Sequence, residues 1–180
     1  MAHLTRLIAL GALSGTLFLA SGASAQSHNS AAPIDFGADH IELQDKANRA
    51  ILTGNVSVRQ AEMTLNSARM TVAYTGQVVD GSPQVSRLDA AGGVTVTRPQ
   101  QTARSQYAVY DLNRRVITML GSVSLLQGGN TVNGGRLTIN LDTGRDVIDG
   151  SAVGGAGAAP GTTTSRGGRV TGTFSVPKRN

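Results

Sequence analysis

The chain contains no cysteine and no tryptophan, and aromatic residues make up only 3% of it. Without cysteine there is no disulfide, no thiolate metal ligand, no thiol nucleophile and no lipoprotein anchor. Histidine is nearly as scarce, at three residues. His3 precedes an apolar N-terminal stretch, His28 lies in a polar leader, and His40 sits beside Asp39 and Glu42, as a solvated strand residue would. A zinc site or a histidine-dependent nucleophile therefore lacks its ligands or its base. Neither G-x-S-x-G nor H-E-x-x-H occurs. The 16 Lys and Arg outnumber the 11 acids but form no run and do not alternate with Tyr or Phe, so no nucleic-acid surface is indicated. So few large aromatics make a conventional dense core hard to build. Stacked strands suit this composition better, and the 23 glycines suit tight turns between them.

No Asp, Glu, Lys or Arg occurs between Arg6 and Asp35. Arg6 precedes an apolar run from Leu7 to Ala20, and Ala23-Ser24-Ala25 reads as an A-x-A cleavage site. Those fourteen residues fall short of the roughly 20 that span a bilayer as a helix. Residues 1–25 are expected to be a cleavable signal peptide, and 26–33 a flexible leader. The exported chain then carries 15 basic and 11 acidic residues, a balance of +4.

What the sequence does have is a repeat. Ala50-Ile51-Leu52-Thr53-Gly54-Asn55-Val56-Ser57-Val58 returns in degenerate form at Leu88 to Val96 and at Ile117 to Leu125. Aligned on Gly54, Gly92 and Gly121, one parity stays small or apolar: Leu52, Val56 and Val58, then Val94 and Val96, then Met119, Val123 and Leu125. After each glycine the other parity is polar or tiny. Period-two alternation marks a half-buried strand, and the glycine within it marks a bulge or a close backbone approach.

A companion strand follows each copy. It begins near Ala68, Ser105 and Gly135, at offsets of 14, 13 and 14 residues from the three glycines. Its apolar positions are Met70 and Val72 (preceded by Leu65), then Tyr107 and Val109, then Leu137, Ile139 and Leu141. Each unit is thus an antiparallel strand pair with a polar turn at Arg59–Glu62, Arg98–Gln101 or Gln127–Asn130. The expected domain spans residues 34–150. Residues 151–168 are rich in Gly, Ala and Thr without periodicity and read as a flexible segment, and 169–180 offer one last strand and a tail. Asp142-Thr143-Gly144 matches an aspartic-protease triplet, yet it falls at a strand end where those residues make a turn.

One apolar face per strand, repeated, builds a stack whose interior is a continuous apolar slot, with an edge strand free to pair at each end. The same side chains packed on one another as a plain core give the same pattern. Ala38-Asp39, Leu52-Thr53-Gly54-Asn55-Val56-x-Val58-x-Gln60, Leu65-x-x-x-Ala68 and Val72-x-Tyr74 resemble the LptA/OstA-like family of periplasmic lipopolysaccharide-transport proteins. The resemblance runs over about residues 34–148 and is strongest at Leu52–Gln60.

That resemblance implies an all-β fold, an open and slightly twisted β-jellyroll of repeated antiparallel strand pairs. It implies that the sixteen apolar positions above, from Leu52 to Leu141, hold the acyl chains of lipid A. It implies no cofactor and no metal, end-to-end assembly, and partners that are the jellyroll domains of an inner-membrane LptC-like and an outer-membrane LptD-like protein. Three alternatives remain at this point: an LptC-like anchored member of the same pathway, a structural β-repeat protein that binds no lipid, and a secreted β-solenoid enzyme. The last would want a cluster of exposed acids, and none is evident.

Overall fold

The computed structural model describes residues 28–76, 83–151 and 168–174. The expected signal peptide and nearly all of the 151–168 segment lie outside them. Six long strands run as a meander: β3 (Arg49–Gln60), β4 (Met63–Thr75), β5 (Gln84–Arg98), β6 (Gln101–Asp111), β7 (Val116–Gln127) and β8 (Asn130–Asn140), each pairing antiparallel with the next. Each edge of the meander is covered by a strand in two pieces. On β3 these are β1 (Ile34–Gly37), opposite Ser57–Gln60, and β2 (His40–Gln44), opposite Arg49–Thr53. On β8 they are β9 (Arg145–Asp149), opposite Arg136–Asn140, and β10 (Thr171–Thr173), opposite Thr131–Asn133. The result is an open antiparallel jellyroll that does not close into a barrel. A single 3-10 turn at Asp45–Ala47 links β2 to β3.

The organising glycines are bulges, and they are double. Gly54-Asn55, Gly92-Gly93 and Gly121-Ser122 all have positive φ, and in each case two residues stand opposite one on the following strand. The single residues opposite them are Ala68, Gln106 and Gly135. Two left-handed residues in succession turn the strand sharply, which only Gly tolerates freely and Asn tolerates better than most.

The bulges line up across the sheet because each glycine is roofed by the preceding strand. A Cβ on Gly92 would stand 2.8 Å from the Ala68 Cβ, and one on Gly121 the same distance from the Gln106 Oε1. A Cβ on Gly54 would collide with Asp39, whose carboxylate accepts from Asn55 Nδ2 at 2.9 Å and whose N–H donates to Gly54 O at 2.9 Å. At the far edge, Gly150 and Gly168 abut in the same line, and β10 pairs with β8 on one side of Gly135 as β9 does on the other.

This line is where the sheet folds over on itself. Tyr110 shares a row with Leu88, Val72 and Ala50. In a flat sheet that row lies roughly 33 Å along β3 from Gln60, at about 3.3 Å per residue. Yet Tyr110 Oη donates to Gln60 Oε1 at 2.7 Å. The strand halves before and after the bulges must therefore face each other as two walls.

Gly92→Ala should lower stability by about 2–4 kcal/mol, combining left-handed strain with the clash against Ala68. Gly93→Ala meets open space and should cost only the strain, about 1–2 kcal/mol. Denaturant midpoints of the two variants compare them, and equal losses would refute the roofed-glycine account.

Candidate functional site

The inward positions of the two walls join into rows that run from β3 to β8. Ala50, Val72, Leu88, Tyr110, Ile117 and Ile139 make one, and Leu52, Met70, Ala90, Ala108, Met119 and Leu137 the next. Beyond the bulges, Val58, Leu65, Val96, Ala103, Leu125 and Val132 face them from the other wall. Of the sixteen apolar positions expected inside, fourteen are there: Leu52, Val56, Val58, Leu65, Met70, Val72, Val94, Val96, Met119, Val123, Leu125, Leu137, Ile139 and Leu141 are all buried.

Tyr107 and Val109 are not inside. Tyr107 is 55% exposed and Val109 half-buried on the outer surface, while Ala108 and Tyr110 occupy the interior. The cause is the bulge. A strand facing a two-residue bulge with one residue changes the face its side chains point to: Met63, Leu65 and Ser67 face in before Ala68, and Met70, Val72 and Tyr74 after it. Beginning the second companion strand at Ser105 rather than Gln106 slips the reading by one residue and turns every later side chain the wrong way. A constant offset of fourteen residues selects Ala68, Gln106 and Gly135. Aligning Ser67 with Ser105 gives the same register, for both hydroxyls are buried and donate to the carbonyl two residues on, that of Arg69 and of Tyr107.

The interior is closed. Leu52, Met70, Ile117, Met119, Leu137 and Leu141 expose 0% of their surface, and without a guest the two apolar faces pack on each other. A cleft of about 570 Å³ opens instead at the rim, between residues 30–34 with Gln60 on one side and Val85, Leu112 and Arg115 on the other. The stretch expected as a flexible leader is held here over residues 28–33, since Gln60 Nε2 donates to the carbonyls of Ser30 (2.9 Å) and Ala32 (3.1 Å).

The rim where the walls meet is lined by polar groups that the apolar pattern did not single out. Gln60 is buried at the end of the inward series Val56, Val58, and its Oε1 accepts from Tyr110. Arg98 ends the series Val94, Val96 and meets Asp146 of β9. The Asp142-Thr143-Gly144 triplet is a turn: Asn140 Oδ1 accepts from the N–H groups of Asp142 and Thr143, Gly144 has φ 65°, and Asp142 pairs with Arg115 at the surface. Sequence reasoning gave no site role to Gln60, Arg98, Gln101 or Asp146, although Gln60 closes the motif that carries the family resemblance. Their only signal is parity.

Burial pushes the Tyr110 hydroxyl up to about 12; Asp142 adds to the rise, while Arg115 opposes it. An acid raised in the folded state contributes its full stability below its unfolded value of about 10. Between pH 10 and 12 the unfolded tyrosine ionises first, so stability should fall by about 2–3 kcal/mol over that interval. Tyr110→Phe should remove most of this alkaline loss in chemical denaturation at stepped pH. An unchanged slope would contradict the burial of a neutral hydroxyl here. For the faces themselves, Leu137→Ala should cost about 2–5 kcal/mol and Val109→Ala less than about 1 kcal/mol, read from unfolding midpoints. A larger loss at Val109 would restore the original register.

Residues 36–145 match the family described as LptA/(LptD N-terminal domain) LPS transport protein. An uncharacterized protein of Rhizobium meliloti (strain 1021) is 31% identical over 148 residues, covering 75% of this chain and 80% of that protein. Among solved structures, the fold is similar to LptH of Pseudomonas aeruginosa, the LptA homologous periplasmic component of the conserved lipopolysaccharide transport device. The TM-score is 0.65 at 17% identity, covering 82% of this chain and 99% of that one. With the family match running over more than half of its length, this chain belongs to the LptA/LptD N-terminal family of lipopolysaccharide-transport proteins.

Proposed function

We propose that this protein is a periplasmic carrier that shields the acyl chains of lipid A between its two walls and bridges the inner- and outer-membrane parts of the export machinery. The observation that carries the reading is the inward apolar rows, which run without a break from β3 to β8. Each methylene removed from water is worth about 0.8 kcal/mol, so a chain of a dozen carbons costs roughly 10 kcal/mol to leave exposed. Rows of Val, Leu, Ile and Met can cover such a chain without a shaped pocket.

The bridging half of the proposal rests on the edges. Phe36, Ile41 and Leu43 are exposed on β1 and β2, and Val147, Val170 and Phe174 on or beside β9 and β10. Exposed apolar side chains on unpaired edge strands are what strand addition uses. They fit end-to-end self-association and docking to the jellyroll domains of LptC-like and LptD-like partners. Export by the signal peptide would place the chain in the periplasm. Among the described residues no helix is long and apolar enough to cross a membrane.

The fully packed interior favours a second reading, a structural β-stack that binds no lipid. Photo-crosslinking in cells separates the two. A photo-reactive residue at the inward sites Val94, Ala108 or Ile139 should label lipopolysaccharide, while one at the outward sites Thr95, Val109 or Thr138 should not. Equal labelling of both sets, or none at all, would favour the structural reading.

A further inference from the structure

Of the ion pairs Arg87–Asp89, Arg98–Asp146 and Arg115–Asp142, the second is largely shielded from water and lies on the rim where the walls meet. Arg87–Asp89 and Arg115–Asp142 are about half exposed, whereas the Arg98 and Asp146 side chains each show 11% to solvent. Arg98 Nη2 donates to both carboxylate oxygens of Asp146, at 2.9 and 2.8 Å, and also bonds Gln101 Oε1. Gln101 Nε2 donates to Asp146 Oδ2 at 2.9 Å. All three side chains stand at inward positions. Arg98 follows Val94 and Val96, Gln101 faces it across the hairpin, and Asp146 lies opposite Ile139.

In the order of the sheet β5 and β9 are four strands apart, so this cluster joins the two walls rather than neighbours within one. A buried pair recovers little more than the cost of drying its charges, and apolar side chains would hold the rim at least as firmly. What the pair adds is a contact that lets go cleanly. Once the lips part, water replaces its directional bonds, and both charged groups are left at a hydrated rim. The core behind it is fully packed, so a guest enters only if the lips separate.

We propose that Arg98, Gln101 and Asp146 form a latch that keeps the empty interior shut and opens to admit an apolar guest. The proposal rests on the lipid-carrying reading above. The chain has no cysteine of its own, so Gln101→Cys/Asp146→Cys introduces the only thiols. Joined by a short bifunctional thiol reagent the lips are locked; left unjoined they are released. Arg98→Gln provides a second released form should the double variant fold poorly, as judged by its melting curve.

Uptake of the apolar fluorophore N-phenylnaphthylamine and binding of purified lipid A are measured on wild type, released and locked protein. Released protein should take up the fluorophore roughly tenfold faster than wild type, and locked protein at least as much slower. The latch is overturned if locked and released forms behave alike, or if no form takes up the fluorophore. Lipid A bound equally by locked and released protein would overturn the latch and leave the carrier reading intact. Fluorophore uptake in the expected order with no lipid A binding by any form would keep the latch and remove the carrier reading.

Discussion

The structure depends on a two-residue bulge, repeated three times, in which both residues take the left-handed conformation. One bulge would merely kink a strand. Three in register, each glycine roofed by Asp39, Ala68 or Gln106, crease the sheet along a line and lay one half over the other. The crease converts a one-faced meander, which cannot bury its apolar side alone, into two walls that bury it against each other. It also decides which residues are inside, because the strand facing each bulge changes its face there. At Ser122 the left-handed position is filled by a residue with little liking for it (φ 48°), so the third crease holds some strain that Gly93 spares the second.

Much of this was legible beforehand because period-two alternation is a local signal. The meander, its turns and the inward side of β3, β5 and β7 follow from Leu52, Val94 and Val123 and their neighbours alone. The companion strands were harder, since the face change at Ala68, Gln106 and Gly135 is imposed by the strand next door and leaves no mark in their own hydropathy. Ala68 and Gly135 were placed correctly because apolar residues crowd their inward side. At Gln106 the outward Tyr107 and Val109 are more hydrophobic than the inward Ala108, and composition outvoted register.

The polar rim was illegible for a different reason. Gln60, Arg98 and Asp146 come from strands far apart in the sheet, and nothing in the linear pattern tells a polar residue ending an inward series from one that has simply reached solvent. Only the crease brings Gln60 to Tyr110 and Arg98 to Asp146. The closed interior is a property of the same kind: a slot and a core have one sequence pattern, and whether the faces touch depends on what lies between them. Two apolar walls that pack on each other leave no permanent cavity, which would be costly to keep empty in water. On the reading proposed above, these faces are a lining that is complete when empty and opens when used.

The central claim is that this lining receives a lipid, and native mass spectrometry of the protein purified from its own envelope without detergent tests it most directly. A lipid-receiving lining gives a population shifted by the mass of a lipopolysaccharide molecule per chain. A spectrum holding only bare protein, under conditions that preserve known lipid carriers loaded, would contradict it.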